Sequence, residues 1–313
     1  MEPIAPARRS WRLMHNRATP THGSAKVRPG TLLPMVVSLA PAFVGFLIFF
    51  LAPFAVLVVS AFSDWSGAEF RFTGIENFRR MLADDVFWKA VGNTLFYSAV
   101  GVFIQVPLGC LVGIILAQKI RGWQAFRAII FLPWVISGAA FALVFSIFYN
   151  PRFGPLNNIL VAIGLPGGHD WLFDTSTAPW AIGGTFAFVL GFTMIVVMAE
   201  IGSIPKELYE AAACDGAKAW EKHRYITLPL LRNAIGTCVL IRLLADIGLF
   251  DVVYILTSGG PSNCTVTLAL YGYRAYLNGQ WGFANAVGST ILLIGLVLIV
   301  GVSRLFRIGE RIQ

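Results

Sequence analysis

Residues 32–62 read LLPMVVSLAPAFVGFLIFFLAPFAVLVVSAF, a run in which no side chain carries a charge. A helix of about 20 mostly apolar residues crosses the hydrocarbon core of a bilayer, so this run predicts a membrane-spanning helix. The composition agrees with that prediction, since 57% of the 313 residues are hydrophobic and only 13% are charged. Soluble domains are about 45–50% apolar and about 25% charged, so the composition disfavours an ordinary soluble enzyme, a disordered chain and a disulfide scaffold.

Further apolar stretches along the chain are also long enough to span a bilayer. With the first, the predicted spans lie near residues 34–62, 91–118, 128–149, 179–200, 230–256 and 285–304. The apolar stretch 156–165 is too short and stands between two prolines, so it predicts a short helix on the outer surface. Within the second span, Gly109 and Gly113 form a GxxxG pattern, which indicates close helix packing either within the chain or against a partner.

The distribution of basic residues predicts the orientation of the chain in the membrane. Of the 24 Lys and Arg residues, 17 fall in the N-terminal tail, the second and fourth connections and the C-terminal tail, 6 fall in the alternate connections, and Arg242 lies within a span. The positive-inside rule therefore places both termini in the cytoplasm. The net charge of +8 is thus an orientation signal and does not indicate nucleic-acid binding. An Arg-rich, acid-poor start is also typical of an organellar transit peptide, and composition leaves that alternative open.

The sequence contains no motif for catalysis or for cofactor binding. It has no GK dipeptide and hence no Walker A loop, no HExxH and no GxSxG. Its four histidines and four cysteines lack metal-ligand spacing, and we predict that the cysteines are unpaired. We therefore expect no bound cofactor, no bound metal and no ATPase site in this chain. An intramembrane enzyme stays an alternative, although no catalytic constellation supports it.

The connection between the fourth and fifth spans, residues 201–229, is long for a helical bundle and carries helix signals. Ser203 is placed to cap a helix that begins near Ile204 and Pro205 and continues through the helix-forming residues 206–214, and the pair Asp215-Gly216 supplies the signal that ends it. A second short helix is predicted over 217–225, followed by a proline that opens the fifth span. The connection therefore predicts a helix, a glycine turn and another helix.

The surface of this predicted unit suits contact with another molecule. Leu208, Tyr209 and Trp220 provide apolar anchors, and the small side chains of Ala211 and Ala212 allow another surface to approach closely. These features predict a docking knob. The alternative is an amphipathic helix that rests on lipid headgroups.

Three short segments of the connection resemble a known motif: Glu210-Ala211-Ala212, Asp215-Gly216-Ala217 and Ile226-Thr227-Leu228-Pro229. In sequence and spacing they are similar to the EAA motif of the inner-membrane permeases of binding-protein-dependent ABC importers. Features elsewhere resemble the carbohydrate branch of that family, the maltose and glycerol-3-phosphate type permeases. These features are Asn93-Thr94, Arg127, Leu132-Pro133, and Gly259-Gly260-Pro261 with Thr267, Leu268 and Tyr271. One departure is His223, where the family usually has an aromatic residue.

The resemblance implies an all-α polytopic membrane protein, similar to a type I ABC importer permease, with six transmembrane helices and a cytoplasmic coupling-helix loop. The predicted organisation is a basic cytoplasmic tail (1–32), a first transmembrane helix (33–62), an extracytoplasmic connection (63–90), a permease core with five transmembrane helices (91–304) that contains the coupling loop (201–229), and a cytoplasmic tail (305–313).

The resemblance also implies a function, that of a permease subunit which moves a sugar or related polyol across the cytoplasmic membrane by alternating access. The implied partners are a cytoplasmic ABC ATPase dimer that uses the ATP, a second permease subunit and an extracytoplasmic substrate-binding protein. Contact with the ATPase is expected from Leu208, Tyr209, Glu210, Ala211, Ala212, Asp215, Gly216 and Trp220. Import of glycerol-3-phosphate or a phosphodiester by the same mechanism, and an ion-coupled secondary carrier, remain the alternatives.

The fifth span carries the candidate residues of the substrate pathway. Ionisable side chains within a span are rare and indicate function or pairing. Arg242 and Asp246 are four residues apart on one helical face, so they are placed to form a buried pair. Alternatively this face lines a polar cavity that contacts sugar hydroxyls or gates access, and its residues are then Arg242, Asp246, Phe250, Asp251 and Tyr254.

Overall fold

The computed structural model describes residues 32–67 and 69–306. The described residues divide into two compact units, with the boundary between Pro53 and Phe54. Helix α1 (Leu32–Phe46) begins the described part, followed by a π-helical turn (Leu47–Leu51) and α2 (Ala52–Ser60). Nearly all of the two predicted cytoplasmic tails, at 1–31 and 307–313, lies outside the described residues.

The connection after α2 contains a small β-hairpin that the helical pattern did not predict. Its antiparallel strands are β1 (Ser63–Trp65) and β2 (Phe70–Phe72), with Ser63 opposite Phe72, and helix α3 (Glu76–Leu82) follows. The Asn77 side-chain amide on α3 donates hydrogen bonds to the carbonyls of Ala61 at 3.0 Å and Ser63 at 2.8 Å. Apart from this hairpin, the regular structure of the described residues is helical, in agreement with the predicted all-α class.

The second span begins earlier than predicted because Asp84 caps it. The Asp84 carboxylate accepts a hydrogen bond from the backbone N–H of Val86 at 2.8 Å, and helix α4 (Asp85–Val100) starts there. Such a cap satisfies one of the N–H groups that lack a partner in the first turn of a helix. A π-helical turn (Gly101–Gln105) joins α4 to α5 (Val106–Ala117), and the span is continuous over all three segments.

The third span is broken, which corrects the prediction of one continuous helix over 128–149. It consists of α6 (Trp123–Val135) and α7 (Gly138–Phe148), which meet at an angle of 102°. Ile136 between them has extended backbone, with ψ of 140°. The Ser137 hydroxyl then accepts a hydrogen bond from the N–H of Ala140 at 3.3 Å and caps α7 as a new helix.

The fifth span is bent at its start and broken near its end. Helix α13 (Leu228–Leu230) leads into α14 (Arg232–Ile247) with a change of direction of 61°. Gly248, which has little preference for helix, follows α14, and the chain resumes helical structure only in α15 (Asp251–Thr257). The prediction of one continuous helix over 230–256 is therefore wrong, although helical segments do cover most of that apolar range.

The remaining helices complete the bundle. They are α8 (Pro155–Ala162), α9 (Ala178–Thr185), α10 (Gly191–Ser203), α11 (Lys206–Cys214), α12 (Ala219–Lys222), α16 (Leu268–Leu277) and α17 (Trp281–Phe306). Helix α8 confirms the predicted short helix, and a 3-10 turn (Phe186–Phe188) links α9 to the fourth span's second half, α10. By length and composition, four described helices are able to cross a membrane, or six spans exist if each bent pair counts as one. The larger number agrees with the six predicted spans.

Helices α5 and α10 pack closely through the GxxxG pattern. A Cβ atom added at Gly109 would lie 2.7 Å from the Cβ of Thr193, and one at Gly113 would lie 2.9 Å from the carbonyl oxygen of Met194. Such separations are too short for real Cβ atoms, so glycine is required at both positions. The predicted close packing is present, and the fourth span of the same chain provides the opposing surface.

We expect Gly113→Leu to destabilise the folded chain, because the new side chain would overlap α10 in a closely packed interior. Overpacking of this kind costs about 1–3 kcal/mol of unfolding free energy. The thermal unfolding temperature of the purified protein in detergent measures the effect. Gly301→Leu is the matched control, since Gly301 also lies in a spanning helix and nothing described lies within 4 Å of an added Cβ. Equal unfolding temperatures for the two variants would contradict the packing role of Gly113.

Candidate functional site

Helix α11 (Lys206–Cys214) forms the first half of the connection between the fourth and fifth spans, and it begins slightly later than the predicted start near Ile204 and Pro205. Its start corrects one expectation, because Ser203 does not cap it. The Ser203 hydroxyl donates a hydrogen bond to the carbonyl of Glu200 at 2.7 Å, and Pro205 precedes α11 without a capping side chain. The fourth span continues through Ser203, so this residue belongs to the end of one helix and is unavailable at the start of the next.

Gly216 ends α11 in the predicted way. Its backbone has φ of +81°, and the N–H of Ala217 donates to the carbonyl of Ala212 at 2.9 Å. A residue with a Cβ atom is disfavoured by about 1–2 kcal/mol in this left-handed conformation, whereas glycine adopts it freely. The stop predicted at Asp215-Gly216 is therefore confirmed, and the turn has a defined geometry.

The second short helix begins two residues later than the predicted 217–225 and continues past its predicted end. Helix α12 comprises Ala219–Lys222, and a π-helical turn over His223–Thr227 extends it. The backbone N–H of Lys218 donates to the Glu221 carboxylate at 2.6 Å, which sets the start of α12 later than the prediction.

Thr227 joins the two halves of the connection. Its side chain is buried, and its hydroxyl lies 3.0 Å from the Tyr209 hydroxyl on α11 and 3.3 Å from Nδ1 of His223. Tyr209, one of the predicted apolar anchors, is half-buried and directs its hydroxyl into the connection. His223, the departure from the family pattern, hydrogen-bonds the same hydroxyl, a contact that phenylalanine would not make. The connection is therefore tied into one unit by side chains as well as by its glycine turn.

The surface of this unit carries exposed apolar side chains among charged and small ones. Leu208 is 44% exposed and Trp220 is 65% exposed, and no residue of α11 is buried in the described structure. Glu210 and Ala211 lie on the exposed surface, and Ala212 is half-buried. Sequence reasoning missed Tyr225, which is 70% exposed on the same connection and would have been found by extending the search for aromatic anchors past Trp220.

In the fifth span, Arg242 and Asp246 form the predicted pair. The guanidinium Nε donates to Oδ2 of Asp246 at 2.8 Å, and a second guanidinium nitrogen donates to Oδ1. Asp246 is fully buried, and Arg242 lies over the ring of Phe186 at 4.3 Å from its centroid. The two side chains are thus joined by two parallel hydrogen bonds, and the guanidinium also makes a cation–π contact with Phe186. Protein encloses the charge pair.

Gly101 allows this enclosure, and sequence reasoning missed it. A Cβ atom at Gly101 would collide with Oδ2 of Asp246 and would lie 2.8 Å from Nε of Arg242. The π-helical turn of the second span therefore rests directly on the charge pair. Asp246 consequently faces Arg242 and the protein interior, and the pairing interpretation describes it better than the expectation of a cavity-lining carboxylate.

A second group of residues surrounds the break that follows α14. The rings of Phe250 and Tyr254 stack with centroids 5.2 Å apart, and Tyr273 of α16 stands edge-on to Phe250 at 4.8 Å. Asp251 is exposed beside them, and a Cβ atom at Gly138 would lie 3.0 Å from its carboxylate oxygen. The breaks of the third and fifth spans thus meet at an exposed carboxylate and an aromatic cluster. Tyr273 lies on a different helix, and the sequence did not group it with the residues of the fifth span.

Three of the family-like residues outside the connection, Asn93, Thr94 and Thr267, hold the loop that follows α15. The Asn93 side chain donates to the carbonyl of Val266 at 2.9 Å, and the Thr94 hydroxyl accepts from the N–H of Leu268 at 3.0 Å. The Thr267 hydroxyl donates to the carbonyl of Leu249 at 2.7 Å. The loop after α15 is therefore held between the second span and the break in the fifth. Among the described residues, no group of three or more His, Cys, Asp or Glu side chains is placed to bind a metal ion.

Comparisons with known proteins agree with the family resemblance of the motif segments. A family model described as "Binding-protein-dependent transport system inner membrane component" matches residues 105–311. The "Probable ABC transporter permease protein YurN" of Bacillus subtilis is 34% identical over 283 residues, which is 87% of this chain and 95% of that protein. The "Trehalose/maltose transport system permease protein MalF" of Thermococcus litoralis is 32% identical over 232 residues, which is 73% of this chain and 76% of that protein.

A solved structure is similar over nearly the same length. It is a bacterial ABC transporter involved in the import of the acidic polysaccharide alginate. One of its chains superposes with a TM-score of 0.78 and 26% sequence identity, over 89% of this chain and 96% of that chain.

We expect Arg242→Met to destabilise the chain strongly, because it leaves the Asp246 carboxylate buried without a partner. Breaking a buried ion pair from one side costs about 3–5 kcal/mol, whereas replacing both members by apolar side chains is often tolerated. The double variant Arg242→Met/Asp246→Leu should therefore recover most of the loss. Thermal unfolding in detergent measures both variants. If the single and double variants unfold at the same temperature, the enclosed pair is not what holds the second and fifth spans together.

Proposed function

The chain belongs to the family of binding-protein-dependent transport system inner membrane components, and on that premise we propose its role. It is the permease subunit of an ATP-driven importer, and it moves a sugar or related polyol across the cytoplasmic membrane by alternating access. The observation that carries this proposal is that helix α11, which contains the motif residues Glu210-Ala211-Ala212, is exposed. Gly216 ends this helix, and Thr227 links it to the segment that follows. The relative named for trehalose and maltose transport supports the substrate class.

Helix α11 acts as the coupling helix and docks on a cytoplasmic ABC ATPase dimer. Leu208, Trp220 and Tyr225 supply the exposed apolar contacts, and Glu210 supplies a charged contact that orients the helix. The small side chains of Ala211 and Ala212 let the ATPase surface approach the helix backbone. ATP is bound and hydrolysed by that partner. This chain binds no cofactor and is not an enzyme.

The complete importer contains further subunits. A second permease, most simply a related chain, completes the pore, and an extracytoplasmic binding protein delivers the substrate. Both termini and the coupling loop face the cytoplasm, as the excess of Lys and Arg on that side supports. The outer connections, which include the hairpin and the loop after α15, face the binding protein.

The connection transmits movement of the ATPase to the membrane helices. Thr227 ties α11 to the segment that leads through the buried Leu231 into α14. Arg242 and Asp246 then hold α14 against Gly101 of the second span, so the two spans move together. Beyond the pair, α14 ends at the break that carries the aromatic cluster. A displacement of α11 is therefore passed to the region where the substrate path is proposed.

The substrate path runs past Asp251, Phe250 and Tyr254, with Tyr273 as an added member. Stacked aromatic rings pack against the apolar faces of sugars, and a carboxylate accepts hydrogen bonds from their hydroxyls. Asp246 and Arg242 act as positioning residues beneath this path. Arg242 is engaged by Asp246, which disfavours its use as a phosphate ligand and favours a sugar over glycerol-3-phosphate or a phosphodiester.

We expect Gly216→Val to uncouple transport while the protein still inserts in the membrane. The substitution places a β-branched residue at φ of +81° and distorts the end of the docking helix. A strain of about 1–2 kcal/mol corresponds to about tenfold weaker docking. The measurement is ATP hydrolysis stimulated by loaded binding protein, in liposomes that contain both permeases and the ATPase.

Gly164→Val is the matched control for this variant. Gly164 also has positive φ, at +82°, and open space around it, but it lies after α8 on the predicted outer side. An equal loss of coupling in both variants would argue against a docking role for α11. In the unaltered importer, uptake that proceeds under an ion gradient without ATP would identify a secondary carrier and contradict the proposed function.

We expect Asp251→Ala to raise the substrate concentration needed for half-maximal uptake about tenfold, because a charge-assisted hydrogen bond is lost. Tyr254→Ala should have a similar effect, whereas Tyr254→Phe should keep the stacking on Phe250 and most of the activity. Uptake of radiolabelled sugar by the reconstituted importer measures all three. Asp85→Ala is the control, as it removes another exposed carboxylate from a helix start. Normal uptake by both Asp251→Ala and Tyr254→Ala would remove this region from the substrate path.

A further inference from the structure

A cleft of about 470 Å³ lies beside the start of α11 and is not used by the proposed coupling mechanism. Its walls come from the end of α5, the start of α6, the second half of α10 and the first turn of α11. Helix α5 ends at Ala117 and α6 begins at Trp123, so the cleft lies where two spanning segments end. A tryptophan in this position is typical of the boundary between membrane and water.

Three basic side chains from separate segments line this cleft. Lys119 belongs to the connection after α5, Arg127 to α6 and Lys206 to α11. No acidic residue is among the described residues that line the cleft. Within residues 32–67 and 69–306, the two ion pairs are Arg242–Asp246 and His169–Asp174, so none of the three cations is neutralised by a salt bridge there. The cleft therefore combines three positive charges without a described counter-charge.

The other walls of the cleft are apolar. Leu116, Ile195 and Met198 line it, and Leu116 is buried. Arg127 lies over the Trp123 ring at 5.0 Å from its centroid, which orients the guanidinium along the cleft wall. A site for a small free anion needs charge and hydrogen-bond donors alone. Apolar walls adjacent to the charges fit a molecule that carries an anionic group and a hydrocarbon chain together.

The start of α11 adds to the attraction for an anion. The helix begins at Lys206, on the edge of the cleft, and no side chain caps it. The N–H groups of an uncapped first turn carry partial positive charge that favours an anion, and in α11 only that of Leu208 donates to the preceding loop, to the carbonyl of Pro205 at 3.3 Å. The partial positive charge at the start of α11 comes from the backbone, and it adds to the attraction of the three basic side chains for an anion.

We propose that the cleft binds the phosphate headgroup of an anionic phospholipid. Lys119, Arg127 and Lys206 contact the phosphate, and an acyl chain lies against Leu116 and Met198. Basic pockets between spanning helices at the membrane surface are suited to such headgroups. The bound lipid bridges the connection after α5 and the first turn of the coupling helix, so it stiffens α11 relative to the membrane helices. The site does not depend on the proposed transport role, since lipid binding is measurable on the permease alone.

The test is native mass spectrometry of the full chain in detergent, with equal amounts of dioleoylphosphatidylglycerol and dioleoylphosphatidylcholine. The unaltered chain should retain phosphatidylglycerol in preference to phosphatidylcholine. Arg127→Gln and Lys206→Gln should each lower the affinity for phosphatidylglycerol about fivefold, which is the usual contribution of one basic residue near an anionic lipid surface. Arg121→Gln is the matched control, because Arg121 lies in the same basic connection outside the cleft and should not change binding.

Several results would overturn the proposal. One is equal retention of phosphatidylglycerol by the unaltered chain, Arg127→Gln and Lys206→Gln. A second is binding of inorganic phosphate at the three cations without any preference for phosphatidylglycerol over phosphatidylcholine, which would identify a free-anion site. A third is loss of the bound lipid when the ATPase is added, which would make the cleft part of the protein interface. Failure of inorganic phosphate to displace phosphatidylglycerol would support the lipid assignment.

Discussion

Within a bilayer, each backbone polar group that leaves a helix needs a partner supplied by the protein, and the architecture of this chain depends on that constraint. At two irregular points in its spans, side chains from other elements supply that partner. The carbonyl of Leu249, in the break of the fifth span, accepts from the Thr267 hydroxyl at 2.7 Å. The carbonyl of Val189, where the fourth span leaves its 3-10 turn, accepts from the Gln105 side chain at 2.5 Å. Irregular backbone therefore occurs where neighbouring segments already cover it.

The same constraint applies to charge and connects the coupling loop to the proposed substrate path. A charged side chain inside a membrane protein is tolerated when it is paired, and Arg242 and Asp246 pair within one helix. Their enclosure needs Gly101 on the second span and Phe186 beside it, so the pair also joins separate segments. Helix α14 is consequently a rigid element between the connection that carries α11 and the break that carries Asp251. This rigidity is what transmission of movement across a membrane requires.

Much of this arrangement was predictable from local sequence. Apolar runs identified six spans, because length and hydropathy alone decide whether a segment can cross a bilayer. The breaks were not predictable, because prolines and glycines such as Pro133 and Gly248 are also tolerated in continuous spanning helices. The expected cap at Ser203 failed for a related reason, since the fourth span extends far enough to use that residue itself. The hairpin of β1 and β2 is too short to leave an alternating pattern.

By itself, the sequence determined the apolar runs of six candidate spans, the helix, glycine turn and helix of the 201–229 connection, and the placement of Arg242 and Asp246 on one helical face. Each of these depends on residues within a few positions of one another, and helical periodicity relates such residues directly. Only the tertiary structure decided that Asp246 is enclosed while Asp251 is exposed, that Thr227 joins Tyr209 and His223, and that Tyr273 completes the aromatic cluster. These facts depend on contacts between segments far apart in the chain, and hydropathy and periodicity carry no information about which segments meet.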